Sequence, residues 1–332
     1  MKKTEAIVFT GVNQVEVREV SVPDPAPDEV QVRTLFSTIS GGTEGWILQN
    51  LFTWKPTDYP CIPGYQRVGI IEAVGADVQG WQVGDRVMAT RSNWSGEVNP
   101  HAGSHAMLGN TPATELYALT EAVDNIDASG AVVAQVGYNA ANRAVIEPGD
   151  WAVVYGDGLI GQSAAQAMRA RGGRVIQVGH RAERLKIAAA HSADVVINNH
   201  DENVLDVVHQ HTGGKPVTVV LDSVQSETAQ AEYVPLLQKG VGQIVYCGFT
   251  SGTTWADMGD LQRRELTTHF ISGWTRPRME STLQHFADGK MSLKALITHL
   301  VPYQQGPDMY HSHLNKSASF LGATLDWTGG AA

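Results

Sequence analysis

Between residue 5 and about residue 120 the apolar positions fall into short β-branched runs: AIVF (6–9), VEVREV (15–20), EVQVRTL (29–35), VGIIEAVG (68–75) and DRVMAT (85–90). Gly, Pro and Asp separate them. Short runs bounded by turn formers predict strands, and together they predict a small, turn-rich β domain. From about residue 150 the rhythm changes. WAVVYG (151–156), RVIQVG (174–179), DVVINN (194–199), TVVLDSV (218–224) and QIVYCGF (243–249) alternate with the helical patterns SAAQAMRARG, AERLKIAAAHSA, ENVLDVVHQHTGG and ETAQAEYVPLLQKG. Such alternation predicts a parallel sheet covered on both faces. After about residue 272 the chain holds one clear helical pattern, MESTLQHFADG (279–289), and then polar, aromatic-bearing segments.

The clearest chemical signal is VVYGDGLIGQSAAQAM (153–168), where Gly156, Gly158 and Gly161 stand in G-x-G-x-x-G order between a strand and an Ala-rich helix. Gly156 permits the tight turn, Gly158 lets a pyrophosphate approach the backbone, and Gly161 lets the helix pack on the sheet. Leu159 and Ile160 then open the helix whose N-terminal N–H groups face the anion. The end of the next strand selects the dinucleotide, because an acidic residue there accepts the adenosine ribose 2′-hydroxyl. Here that corner reads Gly179, His180, Arg181, with no carboxylate in the run. A small residue leaves space, and Arg181 with His180 can pair a 2′-phosphate. The expectation is NADP; the alternative is that Arg181 is an ordinary solvated charge.

Composition narrows the class. With 332 residues and 42% hydrophobic content, the chain exceeds what one core usually serves, so two domains are expected. A formal net charge of −10, with no Lys/Arg run interleaved with aromatics, argues against a nucleic-acid partner. Cys61 and Cys247 are too far apart for a metal knuckle and fit a reducing compartment. No stretch approaches the roughly 18 apolar residues of a membrane span. A soluble cytoplasmic protein is expected.

In this order the parts resemble the medium-chain dehydrogenase/reductase superfamily, the alcohol dehydrogenase-like group, over nearly the whole chain. The resemblance rests on STISGGTEG (37–45), PGYQRVGIIEAVG (63–75), VGDRVMA (83–89), GSHA (103–106), VIEPGDWAVVYGDGLIG (145–161), HTGGKPVTVVLDSV (211–224) and LLQKGVGQIVYCGF (236–249). It implies a GroES-like catalytic domain from residues 1–137 and 273–332, and a Rossmann domain, a doubly wound parallel sheet, from residues 138–272. It also implies hydride transfer between a nicotinamide and an alcohol or carbonyl, and a homodimer through the edge strand near THFISGW (268–274). Val224, Cys247, Gly248, Phe249 and Ser272, at later strand ends, complete the expected cofactor contacts.

The departures concern zinc, for which the family uses thiolate, imidazole or carboxylate ligands. Gly41 stands where a Cys would precede the Gly-Thr-Asp-like segment, Tyr65 and Gln66 replace the Gly-His-Glu loop's His and Glu, and AVVAQVGYNAA (131–141) offers no ligand. Two distant cysteines cannot form the structural zinc lobe either. No metal is expected, and the chain is read with the zinc-independent branch; ISGGTE and PGYQ look locally similar to the bacteriochlorophyllide dehydrogenase group. His101 and His105 lie four apart, but Pro100 and Gly103 predict a loop rather than a ligand-bearing helix. His209 and His211 read as charges at a helix C-terminus.

Without zinc, hydroxyl donors must stabilise and protonate a developing alkoxide. Thr43 occupies the family's proton-relay position, with a turn threonine as the alternative. Tyr65 is a candidate acid/base or donor, with filling of the vacated metal cavity as the alternative. Glu44 could orient Tyr65 or bind a substrate hydroxyl; otherwise it is a solvated carboxylate. Trp46, Trp54, Trp94 and Trp274 are candidate substrate platforms for a flat or sugar-like ligand, two of them expected to be structural. The expected activity is NADP-dependent, zinc-independent interconversion of a secondary alcohol and a ketone, with enone or quinone reduction and non-catalytic NADP binding as the competing readings.

Overall fold

Parallel strands buried on both faces need near-continuous apolar runs, and in Trp151–Tyr155 every residue after the first is buried. This strand is the centre of a six-stranded sheet in the computed structural model, which describes residues 2–94, 96–315 and 320–329. The order across the sheet is Val195–Asn198, Arg174–Gly179, Trp151–Tyr155, Val219–Asp222, Gln243–Tyr246, Thr267–Phe270, all parallel. Chain order reverses between Trp151–Tyr155 and Val219–Asp222, which creates the switch point where doubly wound folds bind ligands. The helix Leu159–Ala170 follows the central strand, and Gly137 lets the helix Ala131–Arg143 lie against it: a Cβ at Gly137 would come 2.5 Å from the Ala164 nitrogen.

The β-rich unit is built on Glu29–Thr38. That strand pairs antiparallel with Arg67–Val74, Leu108–Pro112 and the C-terminal strand Ala323–Asp326. Sheet neighbours extend the row to Arg86–Ala89 and Leu116–Ala118 on one side and His299–Pro302 on the other. A second sheet pairs Lys2–Gly11 with Gln14–Val22 and with the two-residue strand Cys61–Ile62. Cys61 is 1% exposed in a core with Ile7, Phe9, Ile47 and Tyr310, and burial pushes its thiol up to about 12, so it acts as a small hydrophobe. Arg67 is fully buried, has no carboxylate partner among the described residues, and donates to Thr34 Oγ1, the Gly109 carbonyl and Thr111 Oγ1, which ties three strands together.

The chain divides into Met1–Val132 with Ile297–Ala332 and, between them, Val133–Leu296. The second boundary therefore falls later than the expected 272/273. The reason is the helix Arg276–Ala287, which buries Met279, Leu283 and Phe286 within the parallel-sheet unit. His285 meets the Tyr138 ring at 5.1 Å, and the Gln166 amide exchanges two hydrogen bonds with Ser292. Residues 316–319 and 330–332 of the expected C-terminal tail lie outside the described residues. Two further elements differ from the sequence reading. Thr43 and Glu44 lie in the first turn of an α-helix, Gly41–Leu48, rather than in a free turn. The 227–240 helical pattern stops at Tyr233 and continues as a 3₁₀ turn, Val234–Leu236, because Pro235 has no N–H to extend the helix.

Candidate functional site

Gly156 has φ +111°, and a Cβ there would lie 2.1 Å from Ser223 Oγ; one at Gly161 would lie 2.1 Å from the Gly156 carbonyl oxygen. Only glycine fits at either position. Gly158 caps the helix Leu159–Ala170, and no atom lies within 4 Å of where its Cβ would stand, so a ligand can approach the backbone there. Leu159 and Ile160 form the partly buried first turn. At the strand ends opens a cavity of about 390 Å³ lined by Gly156, Gly179, His180, Arg181 and Val224 among others. His180 stacks on His200 with ring centroids 5.0 Å apart. Asp222 Oδ1 accepts the Val224 N–H at 2.7 Å and so shapes the wall of the cavity. Farther along the sheet, Cys247 is buried, the Gly248 carbonyl accepts from Gln225, and Phe249 and Ser272 are exposed. None of these four lines the cavity.

The structure supplies the carboxylate that the Gly179-His180-Arg181 run lacks. Asp157, inside the glycine motif, is 3% exposed, and a Cβ at Gly179 would lie 2.7 Å from its own Cβ. Its Oδ2 accepts the N–H groups of His180 and Arg181 at 3.2 and 3.0 Å, and its Oδ1 meets Arg181 Nη1 at 3.1 Å and Arg184 Nη1 at 3.3 Å. Burial pushes this carboxyl up, but the two N–H groups and two guanidiniums outweigh it and hold the group below its ordinary value. Arg181 is thus an ion-paired side chain at the cavity wall rather than a solvated charge. Asp157 does not stand out in the sequence of the strand end, because its partners lie over 20 positions away.

In the β-rich unit a second polar cluster surrounds the loop where the family's zinc ligand would stand. Tyr65 is half-buried, and its hydroxyl donates to Ser40 Oγ. Burial pushes the phenol well above its ordinary range and the nearby Glu44 charge adds to this, against the hydrogen bonds with Ser40 and Thr43. Tyr65 is accordingly a protonated donor, not a base. Glu44 is fully buried, so it neither meets solvent nor presents itself to a substrate hydroxyl. Its Oε1 accepts the Ser40 N–H at 3.1 Å; its Oε2 accepts from His105 Nε2 at 3.0 Å and from the Tyr310 hydroxyl. Burial pushes the Glu44 carboxyl up, but the His105 contact and the hydrogen bonds from Tyr310 and Ser40 bring it below its ordinary value. An ionised Glu44 requires the proton on His105 Nε2, and His105 Nδ1 then pairs with Ser37 Oγ at 2.8 Å, which also accepts Trp327 Nε1–H. The sequence does not mark His105, Ser40 or Tyr310 as site residues. His105 stands out there through its spacing from His101 and within the GSHA segment, not as a site residue, and Tyr310 reaches Glu44 from 266 positions away.

The tryptophans separate into two kinds. Trp94 is 7% exposed, donates to the Gly103 carbonyl and sits so close that a Cβ at Gly103 would overlap its ring, so it is a core residue, not a platform. Trp46 and Trp54 flank Phe52 at 5.9 and 5.0 Å, and Trp54 is 58% exposed. Trp274 is partly buried in the parallel-sheet unit.

Gly41 offers no ligand atom, and a Cβ there would lie 2.6 Å from the His313 ring, which occupies the space a Cys side chain would need. Tyr65 offers a protonated phenol, and the Gln66 amide is turned onto the Thr38 carbonyl. Among the described residues no three His, Cys, Asp or Glu side chains gather as a metal site. This donor set does not fit catalytic zinc.

A switch-point glycine cradle on a 3-2-1-4-5-6 sheet, in one chain with a GroES-like β unit, defines a dinucleotide-binding protein of the alcohol dehydrogenase type. Two family models match in tandem: the alcohol dehydrogenase GroES-like domain over residues 26–146 and zinc-binding dehydrogenase over residues 160–288. The chain belongs to the medium-chain dehydrogenase/reductase superfamily. An uncharacterized zinc-type alcohol dehydrogenase-like protein of Escherichia coli is 23% identical over 97% of this chain and 98% of its own. A putative D-xylulose reductase of Agrobacterium fabrum is 27% identical (90% and 93% covered), and a sorbitol dehydrogenase of Halalkalibacterium halodurans 25% (93% and 95%). Among solved structures, an Escherichia coli oxidoreductase/dehydrogenase of unknown specificity superposes with a TM-score of 0.87 at 21% identity, covering 98% of this chain and 99% of that one. A putative zinc-binding dehydrogenase from Sinorhizobium meliloti bound to NADP gives 0.85 at 18% identity (98% and 100% covered), and a short chain alcohol dehydrogenase from Escherichia coli complexed with NADH gives 0.83 at 22% (98% and 100%).

Proposed function

We propose that the chain is an NADP-dependent oxidoreductase of the medium-chain type that interconverts a secondary alcohol and a ketone, in the polyol or sugar class, without zinc. The observation that carries this reading is Tyr65: at the position of the zinc loop's imidazole stands a half-buried phenol, held protonated and bonded to Ser40. Bound NADPH supplies the hydride. As charge develops on the substrate oxygen, the Tyr65 hydroxyl donates to it, with Ser40 and Thr43 as the adjoining hydroxyls. A phenol held above its ordinary range is a poor base at neutral pH, so the arrangement favours reduction over oxidation. Glu44, His105 and Tyr310 act by positioning: they hold Ser40 and the loop behind Tyr65.

Arg181 at the adenosine end supports NADP, and an NADP-bound structural neighbour is consistent with it. The names of the xylulose and sorbitol relatives support a polyhydroxylated substrate, and the Trp46–Phe52–Trp54 cluster supplies an aromatic surface of the kind that sugar faces pack on. The reading includes a cytoplasmic homodimer joined through the edge strand Thr267–Phe270, where Phe270 is 75% exposed. A turnover screen with NADPH and NADP⁺ across ketoses, polyols, secondary alcohols and enones tests the activity. Ketose or polyol turnover is expected. Turnover confined to enones would overturn the alcohol assignment, and cofactor binding without turnover of any of them would overturn the enzyme assignment.

A further inference from the structure

We propose that Asp157 is the positioning residue of a subsite for the 2′-phosphate of the adenosine ribose, with Arg181 as the group that contacts the phosphate; this rests on the NADP reading. Asp157 brings a carboxylate to the corner where an NAD-type acceptor would stand. It cannot act as one, because Oδ2 already takes two backbone N–H groups and Oδ1 faces two guanidiniums. It lines the cavity, but at 3% exposure little of it is open to a ribose hydroxyl. What it does is fix its donors. It fastens the glycine loop to the start of the next helix and holds Arg181 and Arg184 on one oxygen.

Arg181 lines the cavity with 36% of its side chain exposed, and among the described residues Asp157 is its one side-chain partner, through Nη1. Its Nε and Nη2 donors remain for a ligand. A guanidinium can be held by a carboxylate on one side and grip a phosphate on the other, because its five N–H groups form a planar fork. Two guanidiniums against one carboxylate leave a net positive charge for a dianionic phosphate. Prior ordering by Asp157 removes the rotamer entropy that Arg181 would otherwise lose on binding.

The test is equilibrium binding of 2′,5′-ADP and 5′-ADP to the whole chain, comparing wild type with Asp157→Asn and Arg181→Lys. Wild type should prefer 2′,5′-ADP by about tenfold or more, the scale of one charge-assisted hydrogen bond. Each variant should lose most of that preference while keeping 5′-ADP affinity. In Asp157→Asn the amide oxygen can still accept the two N–H groups, but without the charge it cannot hold the guanidiniums. In Arg181→Lys a single ammonium cannot bridge Asp157 and phosphate together. If Asp157→Asn loses 5′-ADP as well, the part-exposed Arg181→Lys decides. An Asp157→Asn protein with unchanged or stronger 2′-phosphate preference, or an Arg181→Lys protein with full preference, would overturn the positioning role alone. A wild type without any preference would overturn the NADP reading along with it.

Discussion

On the proposed reading, Tyr65 is the residue on which the chemistry turns. Its hydroxyl is protonated, bonded to Ser40 and set beside a buried anion that makes phenolate still less accessible. Tyr65→Phe should lower kcat for ketone reduction by about 10²-fold, the usual worth of a positioned acid, while leaving NADPH affinity unchanged by fluorescence titration. An unchanged kcat would reduce Tyr65 to packing. In the parallel-sheet unit, Arg181→Ala should weaken NADP by about tenfold or more and leave NAD nearly untouched, as read by the ratio of the two dissociation constants. Both residues can be picked out from the sequence because each replaces a residue type that a motif demands. Asp157 and Tyr310 cannot, since their significance arises only when distant segments meet.

At the scale of elements, the loop CIPGYQRVG is a scaffold whose tight turn now serves a hydrogen-bonded cluster. Gly64 has φ +92°, and a Cβ there would lie 2.6 Å from the His105 ring. Gly64→Ala should therefore destabilise the chain by about 1–3 kcal/mol through strain and displacement of His105, measured by chemical denaturation. No change would show that the ring can move aside at little cost. The helix Gly41–Leu48 shows why the sequence predicts only a turn there: two glycines open it and no side chain caps it, so local propensity is weak. Tertiary bonds from Glu44 to His105 and Tyr310 hold its first turn instead. The strands of the parallel sheet are legible because burial on both faces demands apolar runs; the helix Arg276–Ala287 is legible as an element, but not the unit to which it belongs.

For the molecule as a whole, the acid limb of stability has a direction. Glu44 is lowered from 4.5 and Asp157 from 3.8, so each contributes stability that is fully present above those values and is lost as pH falls through the lower folded values. Glu44→Gln should cost about 3 kcal/mol near neutral pH, as expected when one partner of a buried pair is removed. The gap in Tm between wild type and variant should narrow on acidification below the ordinary carboxylate range. A gap independent of pH would mean that Glu44 contributes by shape and not by charge. The two-unit, nicotinamide-binding architecture is readable from periodicity and one glycine motif; what stands at the positions of the family's zinc ligands, His313 against Gly41 and Tyr65 on Ser40, requires the fold.

Carbonyl reduction on a hydroxyl cluster without zinc is decided by NADPH-dependent ketose reduction before and after exhaustive chelation, with zinc measured on the same samples. Substoichiometric zinc and unchanged turnover are expected. About one tightly bound zinc per chain, with activity lost on its removal and restored on its return, would contradict it.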